Sequence, residues 1–152
     1  MNEVLRVLLA NLDAAYERRG WHGTSLRGSL RGVTAERALR RPGKGRHNVW
    51  ELTVHAAYWK YAVRNKLQRG KRGSFAMKGS NWFPSPARPD EEAWRALVRL
   101  LDQEHRLLRE AIAKMTEADL RDPKTLRLVY GVAAHDVYHT GQIQVVKRLV
   151  GG

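Results

Sequence analysis

The sequence predicts an all-α protein, a four-helix bundle folded as one domain over residues 1–152. Two observations lead there. Apolar residues recur at three- and four-residue spacing in four long segments, and no stretch alternates as a half-buried strand does. Glycine- and proline-rich breaks separate those segments, and no internal repeat of solenoid period appears.

The first long helix is expected from about Asn2 to Arg19, where Val4, Leu5, Leu8, Leu9, Leu12, Ala15 and Tyr16 form one stripe. Gly20 and Gly23 interrupt it. A short helix follows from Ser25 to about Leu30, and Thr34 caps a further turn through Leu39. The run RRPGKGR reads as a loop. Asn48, with Glu51 three residues on, approximates a capping box and starts the second long helix, which runs to about Gln68. That helix carries Trp50, Leu52, His55, Tyr58, Trp59, Ala62, Val63 and Leu67, apolar around most of its girth, so it should be central. Gly70 to Pro89 reads as a long loop between the second and third long helices. Trp82 and Phe83 within it argue that the loop packs down. The third long helix begins near Pro89–Asp90, with Glu91 and Glu92 complementing its dipole. Its stripe is Trp94, Leu97, Val98, Leu101, Leu108, Ala111, Ile112 and Met115. Thr116 caps a short turn through Leu120, Asp122–Pro123 breaks the chain, and the last helix runs from about Leu126 to Val150.

Composition narrows the chemistry. The chain has no cysteine, which excludes disulfides, thiolate metal sites and a cysteine nucleophile. No secretory leader is visible, and no uncharged apolar run approaches the roughly 20 residues that a membrane span needs. A cytoplasmic protein without a membrane partner is therefore expected. The net charge of +13 is uneven: residues 1–88 carry 18 Lys/Arg against 5 Asp/Glu, and residues 89–152 carry 10 against 10. The densest basic stretches are Arg37 to Arg46 and Arg64 to Arg72. Such a half can attract nucleic acid, anionic lipid or an acidic small molecule, or be a solvated surface. No nucleic-acid-binding motif accompanies the charge, so nucleic acid ranks below a small-molecule partner.

The last helix reads AAHDVYHTGQIQVV. His135 and His139 are four residues apart, one helical turn, on the same face. Two imidazoles so placed can grip one divalent ion; the pair alone fits equally two core-edge histidines, each donating to a neighbour. His55 lies in the apolar stripe of the second long helix, where a facing helix can supply a third ligand. Three protein ligands leave a fourth position open, the pattern of a catalytic site. Gln142 shares the histidine face and can hydrogen-bond a ligand. The run HDVYH resembles a zinc-protease HExxH, but Asp136 stands at the base position. No histidine, aspartate or glutamate follows His139 to serve as the third protease ligand. His22 and His47 fall in loops beside glycine, and His105, within QEHR, is expected to face solvent.

The C-terminal run GVAAHDVYHTGQIQVVKRL closely resembles the signature of the DinB-like superfamily of DinB/YfiT-like metalloenzymes. NVWELTVHAAYW resembles the stretch of its second helix that supplies a histidine ligand, and NWFPSPARPDEEAW resembles the loop and helix start between them. The resemblance implies up-down-down-up connectivity, frequent dimerisation, and His55, His135 and His139 as ligands of one divalent transition metal: Zn, Ni or Fe. Relatives with an assigned activity transfer or isomerise using low-molecular-weight thiols, and many have none assigned.

The expected function is thus a metal-binding bundle that works as a transferase or isomerase with a small thiol. The competing readings are a non-catalytic metal-binding or structural homodimer and a basic nucleic-acid-binding module. Glu51, one turn before His55, is a general-base candidate only if it faces the same pocket. Tyr58, Trp82 and Gln142 are the other pocket candidates.

Overall fold

A computed structural model describes residues 2–70 and 73–151. Lys71 and Arg72, at the end of the second basic stretch, lie outside the described residues. The described chain forms α1 (Glu3–Tyr16), α2 (Leu26–Ser29), α3 (Ala35–Leu39), α4 (Val49–Leu67), α5 (Glu91–Ala113), α6 (Glu117–Arg121) and α7 (Pro123–Leu149).

Every helix starts at a side chain that accepts an otherwise orphaned backbone N–H. The caps are Asn2, Ser25, Thr34, Asn48, Asp90, Thr116 and Asp122. Thr116 and Asp119 complete a reciprocal capping box. Asn48 makes half of one: its Oδ1 accepts Glu51 N–H at 2.9 Å, while the Glu51 carboxylate turns elsewhere. One boundary moves. Asp122–Pro123 is the start of α7, not a break before it. Asp122 accepts from Lys124 N–H and Thr125 N–H, and Pro123 takes the first helical position, where its missing N–H costs nothing.

Pairs of contacting side chains fix the helix directions. Trp50 meets Trp94, and Arg64 meets Glu104, so α4 and α5 run parallel. His55 meets His139 and Lys60 meets Asp136, so α4 and α7 are antiparallel. Tyr16 meets Asp102 and Arg109 meets Asp13, so α1 and α5 are antiparallel. The order is up-down-down-up, with α4 packed between α5 and α7 and α1 closing the ring against both. A parallel α4–α5 pair needs a connection that travels the length of the bundle, which explains the long segment between them.

That segment is fastened by aromatics. Phe83 is buried, and Phe75, Phe83, Tyr58 and Tyr61 form one cluster with ring centroids 5.4–5.6 Å apart for their closest pairs. Tyr61 OH donates to the Gly73 carbonyl. No helix among the described residues is long and apolar enough to cross a membrane.

The core has two apolar clusters. One gathers Tyr16, Leu26, Trp50, Trp94, Leu101 and Ile143; the other gathers Leu9, Leu12, Val63, Leu108, Ile112 and Val129. Between them the bundle buries polar groups: Lys60, Arg64, Glu104, His105, Asp136 and His139. The histidine site belongs to this polar layer. Part of the basic excess is paired within the chain: Arg64 meets Glu104 in the interior and Arg27 meets Asp102 half-exposed at the bundle's edge, joining the basic first half to acids of α5.

Candidate metal centre

His55 projects from α4 and His135 and His139 from successive turns of α7, where the antiparallel helices face each other. The three Nε2 atoms converge. His55 Nε2 lies 3.1 Å from His135 Nε2, which lies 3.0 Å from His139 Nε2. All three imidazoles can offer a ligand atom within 4.8 Å of the others.

The outer nitrogens decide what those inner atoms are. His55 Nδ1 sits 2.8 Å from the Asn81 carbonyl oxygen, an acceptor only, so Nδ1 carries the proton and donates. His139 Nδ1 sits 2.6 Å from Gln142 Oε1 and donates to it, and Gln142 Nε2 donates to Tyr138 OH at 3.2 Å. Both Nε2 atoms therefore present lone pairs to the centre. His135 Nδ1 is buried without a protein partner.

Electrostatics keep the cluster neutral. Burial, followed by the neighbouring His139 and His55, lowers the pKa of His135 to about 3. Burial, then His55, lowers His139 to about 4. His55 is lowered as well, chiefly by burial. The lone pairs of His55 and His139 converge on His135 Nε2, an arrangement that needs a cation or a proton between the rings. Ligands around a tetrahedral ion at about 2.0–2.1 Å stand about 3.3 Å apart, close to the spacing here. Donated Nδ1–H groups on carbonyl oxygens are the usual outer support of a metal-binding histidine. The donor set fits a divalent transition metal with a position left over.

Trp82 shields one side. Its indole stacks on His55 at 3.8 Å and 8°, and on His47 at 3.6 Å and 5°. Two rings cannot share one face at that distance, so Trp82 is sandwiched between them. Trp59 stands edge-on to His55 and His135, and its Nε1–H donates to Asn81 Oδ1 at 3.0 Å. Asn81, at φ +62°, thus holds a ligand with its carbonyl and an aromatic wall with its side chain. Asparagine tolerates this left-handed backbone better than most residues.

The other predicted site residues fall differently. Trp82 and Gln142 touch the histidines. Glu51 does not: its buried carboxylate is bound by Arg41 and by His47, on the far side of Trp82. Burial pushes its pKa up, but the hydrogen bonds from Arg41 and His47 outweigh that and hold it at about 2. It is not a base for this centre. Tyr58 packs against Phe75 and Phe83 and secures the loop instead of lining the site. His105, expected at the surface, is buried against the Tyr16 ring at 3.7 Å. It lies four residues after Leu101 and three before Leu108, on the core stripe, which overrides the charge of its sequence neighbours. Asp136 turns away from its neighbour His135 into the bundle and pairs with Lys60, so the protease-like base position holds no base.

A second group, Asp13, Glu17 and His105, also gathers potential ligands. Arg109 already holds Asp13 through two hydrogen bonds of 2.6 and 3.0 Å. Lys60 Nζ lies 3.4 Å from His105 Nδ1. Burial, Lys60 and Arg109 together lower His105 to about 2, an environment hostile to a second cation.

Neither a curated protein nor a solved structure matches the chain. The family model described as DinB superfamily matches residues 18–143, which include all three histidines and most of the bundle, and the chain belongs to that superfamily.

Proposed function

We propose that this protein is a metal-dependent enzyme that holds one divalent transition metal on His55, His135 and His139 and transfers or isomerises a substrate with a low-molecular-weight thiol. The observation that carries the reading is the convergence of three Nε2 atoms, with the rings of His55 and His139 oriented from outside by the Asn81 carbonyl and Gln142. A metal in such a site lowers the pKa of a coordinated thiol or water and supplies a nucleophile at neutral pH. The residues of the chain do the rest. Gln142 and Asn81 hold the ligand tautomers, Trp82 excludes water from the His55 side, and Trp59 walls the His135 side. A chain without cysteine must receive its thiol from outside. Zinc, nickel and iron all suit imidazole ligation.

The reading includes a homodimer. Tyr130, Tyr138, Val145 and Leu149 form an exposed apolar stripe along α7, and Val4 and Val7 are exposed on the neighbouring α1. Light scattering at micromolar concentration should give twice the chain mass.

The reaction is tested by supplying the metal-loaded protein with bacillithiol, mycothiol or glutathione and a chlorinated aromatic electrophile. Conjugation should be faster than with the H55A/H135A/H139A variant for at least one thiol. Equal rates with all three would leave a metal-binding protein without this turnover.

A further inference from the structure

We infer that the groove between α4 and α7 beside His135 is a binding site for a small amphipathic anion, an apolar chain ending in a carboxylate. This names the substrate class of the proposed enzyme and rests on that reading only for the chemistry at the His135 end. The groove has a volume of about 380 Å³ and begins at His135. Its floor is apolar: Trp59 and Val63 from α4, Leu128 and Val132 from α7. Its far end is lined by three exposed cations, Lys66, Lys124 and Arg127. No carboxylate among the described residues lies within ion-pair distance of any of them.

The spacing sets the ligand's length. Along α7, Arg127 lies 8 residues and Lys124 11 residues before His135. At 1.5 Å per residue the cations stand about 12 to 16 Å from the histidine centre. An extended chain of about ten carbons bridges that distance, with its carboxylate among the cations and its other end at His135.

A second observation points to a ligand. Gly131 lines the groove in the middle of α7, where glycine weakens a helix. It is not required by packing: a Cβ placed there meets nothing within 4 Å. Its backbone is ordinary helix, so conformation does not demand glycine either. The missing side chain leaves the groove open.

The test is calorimetric titration of the metal-loaded protein with decanoate, decanol and butyrate. Decanoate should bind about tenfold more tightly than decanol, whose chain matches but whose charge does not, and its advantage should shrink as salt rises. The K66A/R127A variant should bring decanoate down to the affinity of decanol, and G131L, which fills open space, should abolish binding of both. Butyrate, too short to use the floor, should bind weakly throughout. Decanoate should bind chelator-stripped protein as well as loaded protein, which separates the groove from the metal. Loss of decanoate binding on stripping would place the carboxylate on the metal and overturn the groove assignment while leaving the metal reading intact. Equal affinity for decanoate and decanol, no binding of either, or decanoate binding unaffected by G131L would also overturn it.

Discussion

Lys60 and Asp136 form an ion pair across α4 and α7 in which neither side chain is exposed, and Asp136 is the residue next to His135. Burial pulls the lysine pKa down and the aspartate pKa up, and each partner's charge opposes the other's shift. Lys60 also reaches His105 Nδ1 and lies over the Tyr16 ring, tying α1, α4, α5 and α7 together at the level of the histidines.

Removing one partner should therefore cost far more than removing both. Lys60→Met leaves a buried carboxylate without its cation and should destabilise by about 3–5 kcal/mol. The K60M/D136L double variant should recover a large part of that loss, because the apolar replacements need no desolvated charge. Urea unfolding of the three proteins measures it, and a double variant no more stable than K60M would refute the pairing as the cause.

Gln142 is expected to support His139. Gln142→Ala removes the acceptor for Nδ1–H and should weaken metal affinity about 10–100-fold. Gln142→Glu keeps an acceptor there and should retain affinity. Competition with a chromogenic chelator reads both; equal affinities of Q142A and wild type would show that the contact does not support the ligand.

Stability should fall in mild acid, and His105 should contribute. Its folded pKa of about 2 lies well below the ordinary 6.5, so between those values the unfolded chain binds a proton that the folded one excludes. Its contribution is complete above about pH 6.5 and declines by about 1.4 kcal/mol per pH unit below it. The groups around it are Asp13 and Tyr16 on α1, Glu17 just after it, Lys60 on α4, Arg109 on α5 and Asp136 on α7. His105→Phe keeps a ring against Tyr16 and removes the titration. The slope of unfolding free energy between pH 6.5 and 4.5 should be shallower in the variant by about one proton; identical slopes would contradict the assignment.

Gly131→Ala should raise stability by about 1 kcal/mol, because alanine replaces glycine inside α7 where the added methyl meets open space. Thermal unfolding at fixed metal content checks the sign, and a lower midpoint would mean that the site is packed.

The parts of the molecule legible in the sequence are those set by local spacing. His135 and His139 share a face because they are four residues apart, and each long helix shows its stripe within its own segment. His105 was legible too, since Leu101 and Leu108 bracket it on the stripe, yet the charges of QEHR pointed outward. Asp122–Pro123 carried the signature of a helix start, an acidic cap followed by proline, but reads equally as a break. The contacts between distant segments were not legible. Lys60 meets Asp136 across 76 residues and His55 meets the Asn81 carbonyl across 26, and no local pattern registers either. Glu51 illustrates the same limit: one turn from His55 in sequence, it is claimed by Arg41 from the preceding loop.

Metal content tests the central claim most directly. Protein loaded with zinc, nickel or iron and then desalted should retain close to one ion per chain by elemental analysis, and the H55A/H135A/H139A variant treated identically should retain almost none. Equal metal content in the two proteins, or none in either at micromolar free metal, would contradict a metal centre built on these three histidines.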